Sequence, residues 1–160
     1  MGTLIQGSSG TSLPIVRYVY LVQDSSDAVR MGDVASNTYT TFQAAYNAAD
    51  ALQVALGGSN KVIIQVGNTI ASTVGNLVLL TNWNTNVMLC GVASFVSNVG
   101  NITAQNASGN GFSLGVNTVN PVKLFNVTIG TISTNATGAT GNSGGVFIQV
   151  WNVSITTIDL

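Results

Sequence analysis

The side chains that could do acid–base, nucleophilic or metal chemistry are scarce in this chain. Its 160 residues include five aspartates, no glutamate, no histidine and one cysteine, and residues 51–158 contain no carboxylate side chain. Glycosidases need two carboxylates, calcium sites need acidic oxygen ligands, nucleophilic triads need a base, and zinc sites need Cys or His ligands. The sequence therefore predicts a protein that is not an enzyme and holds no metal or cofactor.

The few reactive groups that remain have more ordinary interpretations. Asp24 and Asp27 lie in a polar stretch typical of a turn, and a metal site is the alternative for them. Cys90 lies in a predicted strand with alternating apolar residues, which favours an unreactive packed or surface thiol over a nucleophile. Lys61 and Lys123 are predicted to be solvated surface groups. A catalytic site between chains would have to be built from the aspartates, which are Asp24, Asp27, Asp33, Asp50 and Asp159.

Two tryptophans, Trp83 and Trp151, are the candidate contacts with a ligand or a partner chain. Each follows a predicted strand and precedes an Asn. Aromatic side chains present a large apolar face that can stack on a sugar ring, so these two rings, if exposed together, would form a platform for a surface glycan. The alternative, which we favour, is that they fill corners of the fold or face a neighbouring chain.

The composition indicates one globular domain with a polar but uncharged surface. Hydrophobic residues make up 46% of the chain and charged residues 6%, against about 25% charged in an average protein. The net charge of −1 does not suggest a basic surface for nucleic acid. The sequence contains no run of 18 apolar residues, so no membrane insertion is predicted. Surfaces built from Asn, Thr, Ser and Gly are common in extracellular fibres and virion parts, so we expect a virion or extracellular location.

Two strand motifs repeat along residues 62–160. The first begins at 62, 87, 122 and 146, and the second begins at 74, 99, 129 and 155. Alternating apolar residues give each strand one core face, and stacking successive coils of about 25 residues would bury those faces in a continuous column. We therefore predict an all-β protein, a right-handed parallel β-helix or solenoid. A β-sandwich of short strands is the alternative.

One amphipathic helix is predicted at residues 40–56. Thr40 and Gln43 have the spacing of a capping box, and Gly57-Gly58 closes the segment. Such a helix would cover the first coil, whose edge and apolar interior would otherwise meet water. The predicted apolar stripe recurs every three and four positions and consists of Phe42, Ala45, Tyr46, Ala49, Leu52 or Gln53, and Leu56.

The run of residues 41–49, followed by Gly57-Gly58 and the strand 62–67, resembles the entry to pectate-lyase-like β-helices of the phage tailspike type. In that group a short helix of the form T-[IF]-Q-A-A covers the first coil and a strand ending in Gly follows. This chain lacks the proline that often comes next there. The resemblance covers about 27 residues. It implies a structural component of a viral or phage virion, such as a tail fibre, spike or capsid-attached fibre, often trimeric.

The predicted organisation is an attachment segment at residues 1–36, followed by the helix and β-helix at residues 37–160. Within the first part, strands are predicted at 17–22 and 28–31 on either side of a polar turn. We expect residues 1–33 to contact other virion proteins and the β-helix to project and to associate with other copies of the chain. Alternative functions are a carbohydrate-binding receptor module of the same particle, a bacterial surface filament or adhesin assembled by stacking, and a polysaccharide-degrading enzyme.

Overall fold

The computed structural model describes residues 15–24, 37–104, 121–134 and 147–159. These residues form two parallel β-sheets and two helices, α1 at Phe42–Leu56 and α2, a single turn, at Ala71–Val74. The six-stranded sheet consists of β1 Val16–Leu21, β2 Thr38–Tyr39, β3 Lys61–Val66, β5 Val87–Gly91, β8 Val122–Phe125 and β10 Ile148–Trp151. The second sheet consists of β4 Leu77–Leu79, β6 Asn98–Val99, β7 Ile102–Ala104, β9 Thr128–Ser133 and β11 Ser154–Asp159.

The order of the strands follows the sequence repeats. Successive copies of the first motif lie side by side in the six-stranded sheet, in the order β10-β8-β5-β3-β1-β2. Copies of the second motif lie side by side in the other sheet, in the order β11-β9-β7-β4, with β6 also paired to β9. The chain is therefore mostly β, and each strand beyond β3 pairs in parallel with a strand about one repeat away in the sequence.

The register confirms the alignment of the second motif residue by residue. Leu77 lies opposite Ile102, Ile102 opposite Ile132, and Ile132 opposite Ile158. One detail of this motif is wrong: Val74 ends helix α2, and the strand begins only at Leu77. The apolar residues therefore recur at matching positions through four neighbouring strands.

The register of the first motif is confirmed for its first three copies and corrected for the fourth. Val62 lies opposite Val87, and Leu89 lies opposite Leu124. The alignment of Val146 with Val122 is wrong, because Ile148 is the residue opposite Val122; Val146 itself lies outside the described residues. A shift by two residues keeps the same side chains on the same face, so the alternation alone could not detect it.

Strand β1 extends the six-stranded sheet on its N-terminal side. It lies between β3 and β2 and is parallel to both, with Val19 opposite Ile64. Val19 and Leu21 are buried in the same core as the repeats. The strand begins one residue before the predicted Arg17. The predicted strand at 28–31 lies outside the described residues.

Helix α1 begins one residue later than the predicted capping box requires. Thr41 is its N-cap, and the Thr41 hydroxyl accepts a hydrogen bond from the Ala44 N–H at 3.3 Å. The Thr40–Gln43 box is therefore wrong, and the Gln43 carbonyl Oε1 instead accepts from the Val78 N–H at 2.9 Å. The C-terminal prediction is confirmed: Gly57 ends the helix with φ +66°, a conformation that favours glycine.

One face of helix α1 is buried in the core shared by the two sheets. The helix contacts β1 to β5. Within the predicted apolar stripe, Phe42, Tyr46 and Ala49 are buried, whereas Leu52 is only partly buried. Gln53 is buried in its place, because its amide donates hydrogen bonds to the carbonyls of Gly58 and Asn60. A buried amide that keeps its hydrogen bonds avoids most of the cost of leaving water.

Asparagine side chains connect neighbouring strands at one corner. Asn76 Oδ1 accepts a hydrogen bond from the Asn101 N–H, and Asn101 Oδ1 accepts one from the Thr131 N–H, both at 2.8 Å. Glycine is needed beside these amides, since a Cβ on Gly100 or Gly130 would lie 2.3 Å from the neighbouring Asn Oδ1. The corner thus combines a side-chain hydrogen bond with a close approach of two chain segments.

Candidate functional site

The first predicted site residue, Trp83, is part of the core. Its side chain is 1% exposed, its Nε1–H donates a hydrogen bond to the Val87 carbonyl at 2.9 Å, and its ring lies 4.7 Å from that of Tyr46. Both faces of the indole are therefore enclosed, and no sugar can stack on it in this conformation. Of the two interpretations in the sequence analysis, the one in which Trp83 fills a corner describes its position.

The polar groups around Trp83 tie helix α1 to the loop before β5. The Tyr46 hydroxyl accepts a hydrogen bond from the Asn84 N–H at 2.9 Å, and Asn84 Nδ2 donates to Asp50 Oδ1 at 2.8 Å and to Gln53 Oε1 at 2.9 Å. Burial raises the pKa of Tyr46 far above its ordinary value, and the nearby Asp50 charge adds to the shift. The hydrogen bonds join these side chains to one another, so we infer that they stabilise the packing of helix α1.

The other candidate reactive groups that the structure describes do not form a cluster. Burial raises the pKa of the half-buried Cys90 thiol, which keeps it protonated and unreactive near neutral pH. Burial, and then repulsion from Lys123, lowers the pKa of Lys61, whose ammonium donates a hydrogen bond to Asn86 Oδ1. Among the described residues, no group of three His, Cys, Asp or Glu side chains is placed to hold a metal ion. Of the aspartates named above, Asp27 and Asp33 lie outside the described residues.

The last strand of each sheet, β10 and β11, forms what we call the terminal strand pair. Both strands continue the register of buried neighbours: Val150 lies opposite Leu124, and Ile158 lies opposite Ile132. Leu124 and Ile132 are fully buried, but Val150 is 47% exposed and Ile158 is 49% exposed. The register is the same, so register cannot explain this difference in exposure. Val150 and Ile158 are exposed because no further strand among the described residues lies beyond β10 and β11.

The second predicted site residue, Trp151, lies at this terminal strand pair. Its side chain is 70% exposed, and its backbone is opposite Phe125. The following Asn152 has φ +51° and donates from Nδ2 to Asn126 Oδ1 at 3.1 Å, which repeats the left-handed turn at Asn126 one strand earlier. Trp83 is buried and Trp151 is exposed, so the two tryptophans do not form a joint platform.

Two shallow grooves adjoin on the surface between the sheets. One of about 310 Å³ is lined by Gln23, Asn68 and Ile70, and one of about 280 Å³ is lined by Asn126, Asn152 and Ser154, with Val96 and Asn98 shared by both. Their polar linings are mostly uncharged amides and hydroxyls. The second groove reaches Ser154 of β11 and so opens beside the terminal strand pair.

Val150 and Ile158, which expose apolar surface at the terminal strand pair, are not among the predicted site residues. Both occupy core positions of the repeats, and their alternation predicts burial. The sequence carries no signal that separates them, because each has the residue type and spacing of the buried positions before it.

The chain has no recognisable relative in the comparisons with known proteins. No protein-family model matches it, and no curated protein or solved structure is significantly similar to it. Among the described residues, no helix is both long and apolar enough to cross a membrane.

Proposed function

We propose that the protein is a non-catalytic structural component of a larger assembly, folded as a right-handed parallel β-helix in which helix α1 covers one end. The observation that carries this proposal is the constant register of apolar residues from strand to strand. Leu77, Ile102, Ile132 and Ile158 follow one another across one sheet, as Val62 and Val87 do across the other. A column of this kind is the expected core of a solenoid, in which each coil is stabilised mainly by its neighbours.

The nature of the assembly follows from the resemblance of residues 41–67 to the entry of tailspike β-helices. On that basis the protein is a tail fibre, spike or capsid-attached fibre of a virion, located on the virion or another extracellular surface. It works as a homo-oligomer, with a trimer implied by the resemblance, and residues 1–33 contact other virion proteins. The low content of charged residues, and the polar residues drawn mostly from Asn, Thr, Ser and Gly, support such a location. A bacterial surface filament built by stacking has the same physical requirements.

A carbohydrate-binding receptor module is the second candidate, and one observation favours it. Trp151 exposes most of its indole, and Gln149 is also exposed on the same strand. An apolar ring beside an amide suits a neutral sugar. Titration with neutral oligosaccharides, followed by tryptophan fluorescence, tests this candidate: Trp151→Ala should abolish any change in emission, because Trp83 is buried and should report no binding.

The non-catalytic character is tested by incubating the protein with acidic and neutral polysaccharides in the presence of calcium. We expect no new reducing ends and no unsaturated products, because the described carboxylates are not grouped into a site. Reproducible cleavage that is lost in Asp50→Asn or Asp159→Asn would contradict the structural function. The oligomeric part is tested by light scattering at micromolar concentration, where a stable monomer at the 16.4 kDa chain mass would contradict it.

A further inference from the structure

We infer that a second copy of this chain covers the terminal strand pair, in a two-fold arrangement that joins the two molecules end to end. The inference rests on the proposed β-helix and names the surface through which it assembles. Its starting observation is the abrupt change in exposure at Val150 and Ile158, whose register neighbours Leu124 and Ile132 are fully buried. The apolar column of the core therefore continues to the edge of both sheets and ends there in solvent.

A covering partner must satisfy two requirements at this edge. It must offer apolar side chains where Val150 and Ile158 project, and it must offer backbone N–H and C=O groups to the outer edges of β10 and β11, which have no strand partner among the described residues. An unpaired strand edge is a template for another strand. The same edge of a second copy meets both requirements, because its column is apolar and its backbone groups are equally unpaired.

The charge of this region also permits self-pairing. Residues 147–159 carry one charged side chain, Asp159, at the end of β11. Pairing of two copies therefore brings only two charged side chains into the interface, and neither has to enter the apolar column. Apolar side chains and amides, with few charges, are also the composition found in the buried centre of protein interfaces.

The opposite end of the sheets is a poorer partner for this edge. Helix α1 contacts β1 to β5, and its apolar side chains Phe42, Ala45 and Ala49 are already buried. A head-to-tail stack would have to place the terminal strand pair against β2 and β4, but helix α1 contacts both strands, and its Gln43 Oε1 already accepts from the outward Val78 N–H of β4. A two-fold pair avoids this, and it reverses the direction of one molecule, so the strands that meet are antiparallel.

The size of the contact is typical of a weak, transient interface. Standard interfaces use about 20–30 residues a side for about 800 Å² each, so residues 147–159 would bury about 400–500 Å² per copy, near the lower limit for a specific interface. Backbone hydrogen bonds along two strands add to this apolar contact. We therefore expect a pair that forms and dissociates in the micromolar range.

The experiment is sedimentation equilibrium of the full chain between about 1 and about 200 µM, a range that brackets weak specific interfaces. The mass of the wild type should double over this range, from the 16.4 kDa chain or, if the proposed homo-oligomer has already formed, from the mass of that oligomer. Val150→Lys and Ile158→Lys should each raise the dissociation constant by at least about tenfold, because an unpaired ammonium would enter the apolar column. The matched control is Val54→Lys on helix α1, where the side chain is 68% exposed and outside the proposed contact.

Each other outcome overturns the inference. A wild type that stays monomeric excludes this surface. An oligomer that both terminal variants leave intact also excludes it, but the proposed structural function then still stands. Dissociation in Val54→Lys as well indicates a head-to-tail stack. Hydrogen exchange provides a measurement without substitutions: outward-facing amides of β10 and β11 should exchange more slowly as the wild-type concentration rises, while those of β4 should not change. Exchange independent of concentration would also overturn the inference.

Discussion

The most direct probe of how helix α1 is held in place is Tyr46. Its ring packs against Trp83, and its hydroxyl accepts the hydrogen bond of the Asn84 N–H at 2.9 Å. Two substitutions separate these roles. Tyr46→Phe keeps the ring and removes only the acceptor, whereas Tyr46→Asp removes the ring and puts a carboxylate in its place, one helical turn from Asp50.

The two substitutions should differ several-fold in cost. Tyr46→Phe leaves the Asn84 N–H without its acceptor, which costs about 1–3 kcal/mol when the group is buried; because Asn84 is only half-buried, we expect about 1–2 kcal/mol. Tyr46→Asp loses the packing of a buried aromatic ring, about 3–5 kcal/mol, and adds an unpaired charge. That sum approaches the whole stability of a typical domain, about 5–15 kcal/mol, so this variant should be partly or fully unfolded at neutral pH.

The wild-type tyrosine adds a pH dependence that Tyr46→Phe lacks. Burial raises the pKa of Tyr46, so the folded state holds the phenolic proton more tightly than the unfolded state does. This contribution is complete below the unfolded pKa of about 10 and is lost as the pH rises above it, by up to about 1.4 kcal/mol per pH unit. The stability advantage of the wild type over Tyr46→Phe should therefore shrink above pH 10 and reverse near pH 11.

Urea unfolding followed by circular dichroism, at pH 7 and at intervals from pH 9 to about 11, measures both effects. Other titrating groups are common to the two proteins, so the difference between them isolates Tyr46. A cost below about 0.5 kcal/mol for Tyr46→Asp would refute the reasoning, because it would mean that α1 is not packed on the core. A wild-type advantage that does not change with pH would show that Tyr46 is not buried.

Three further predictions concern the corners and the thiol. Gly91→Ala should cost more than Gly130→Ala in urea unfolding, because its Cβ would lie 2.0 Å from the Asn126 backbone carbonyl, whereas the Cβ at Gly130 meets only the Asn101 side chain; equal costs would contradict this. The costs of Gly130→Ala and Asn101→Ala, each about 1 kcal/mol or more, should be less than additive, since both break the Asn101–Thr131 hydrogen bond. Cys90 should react slowly with a thiol reagent at pH 7 and faster as the pH rises beyond the ordinary thiol range, with the urea-unfolded chain as the fast control.

Much of the sheet arrangement could be predicted from the sequence because two independent patterns agree. Alternating apolar residues identify each strand, and the near-constant spacing identifies its neighbour. In the second motif, for example, Ile102 pairs with Ile132 although the interval between these two copies is longer than the others, so the apolar alternation was needed to identify the neighbour. The helix was predictable for similar reasons, since an apolar stripe at three and four positions ends at Gly57. The right-handed β-helix itself stays a prediction.

The errors arose where two local choices have nearly equal energy. Thr40 and Thr41 can each cap a helix, and the choice depends on contacts made by Gln43 with distant Val78. A strand shifted by two residues keeps its core face, which is why the last copy was aligned at 146 instead of 148. The burial of Trp83 agrees with the favoured interpretation, and it depends on contact with Tyr46, which lies far away in the sequence.

The exposed apolar positions at the terminal strand pair show why function is harder to predict than fold here. Val150 and Ile158 have the same residue types and the same spacing as the buried positions before them, so no local pattern distinguishes them. They differ only in having no neighbouring strand on one side among the described residues. A two-fold pair is the arrangement that buries this surface in both molecules at once. Pairing through β10 and β11 therefore joins two molecules, or two of the proposed homo-oligomers, and buries this edge in both.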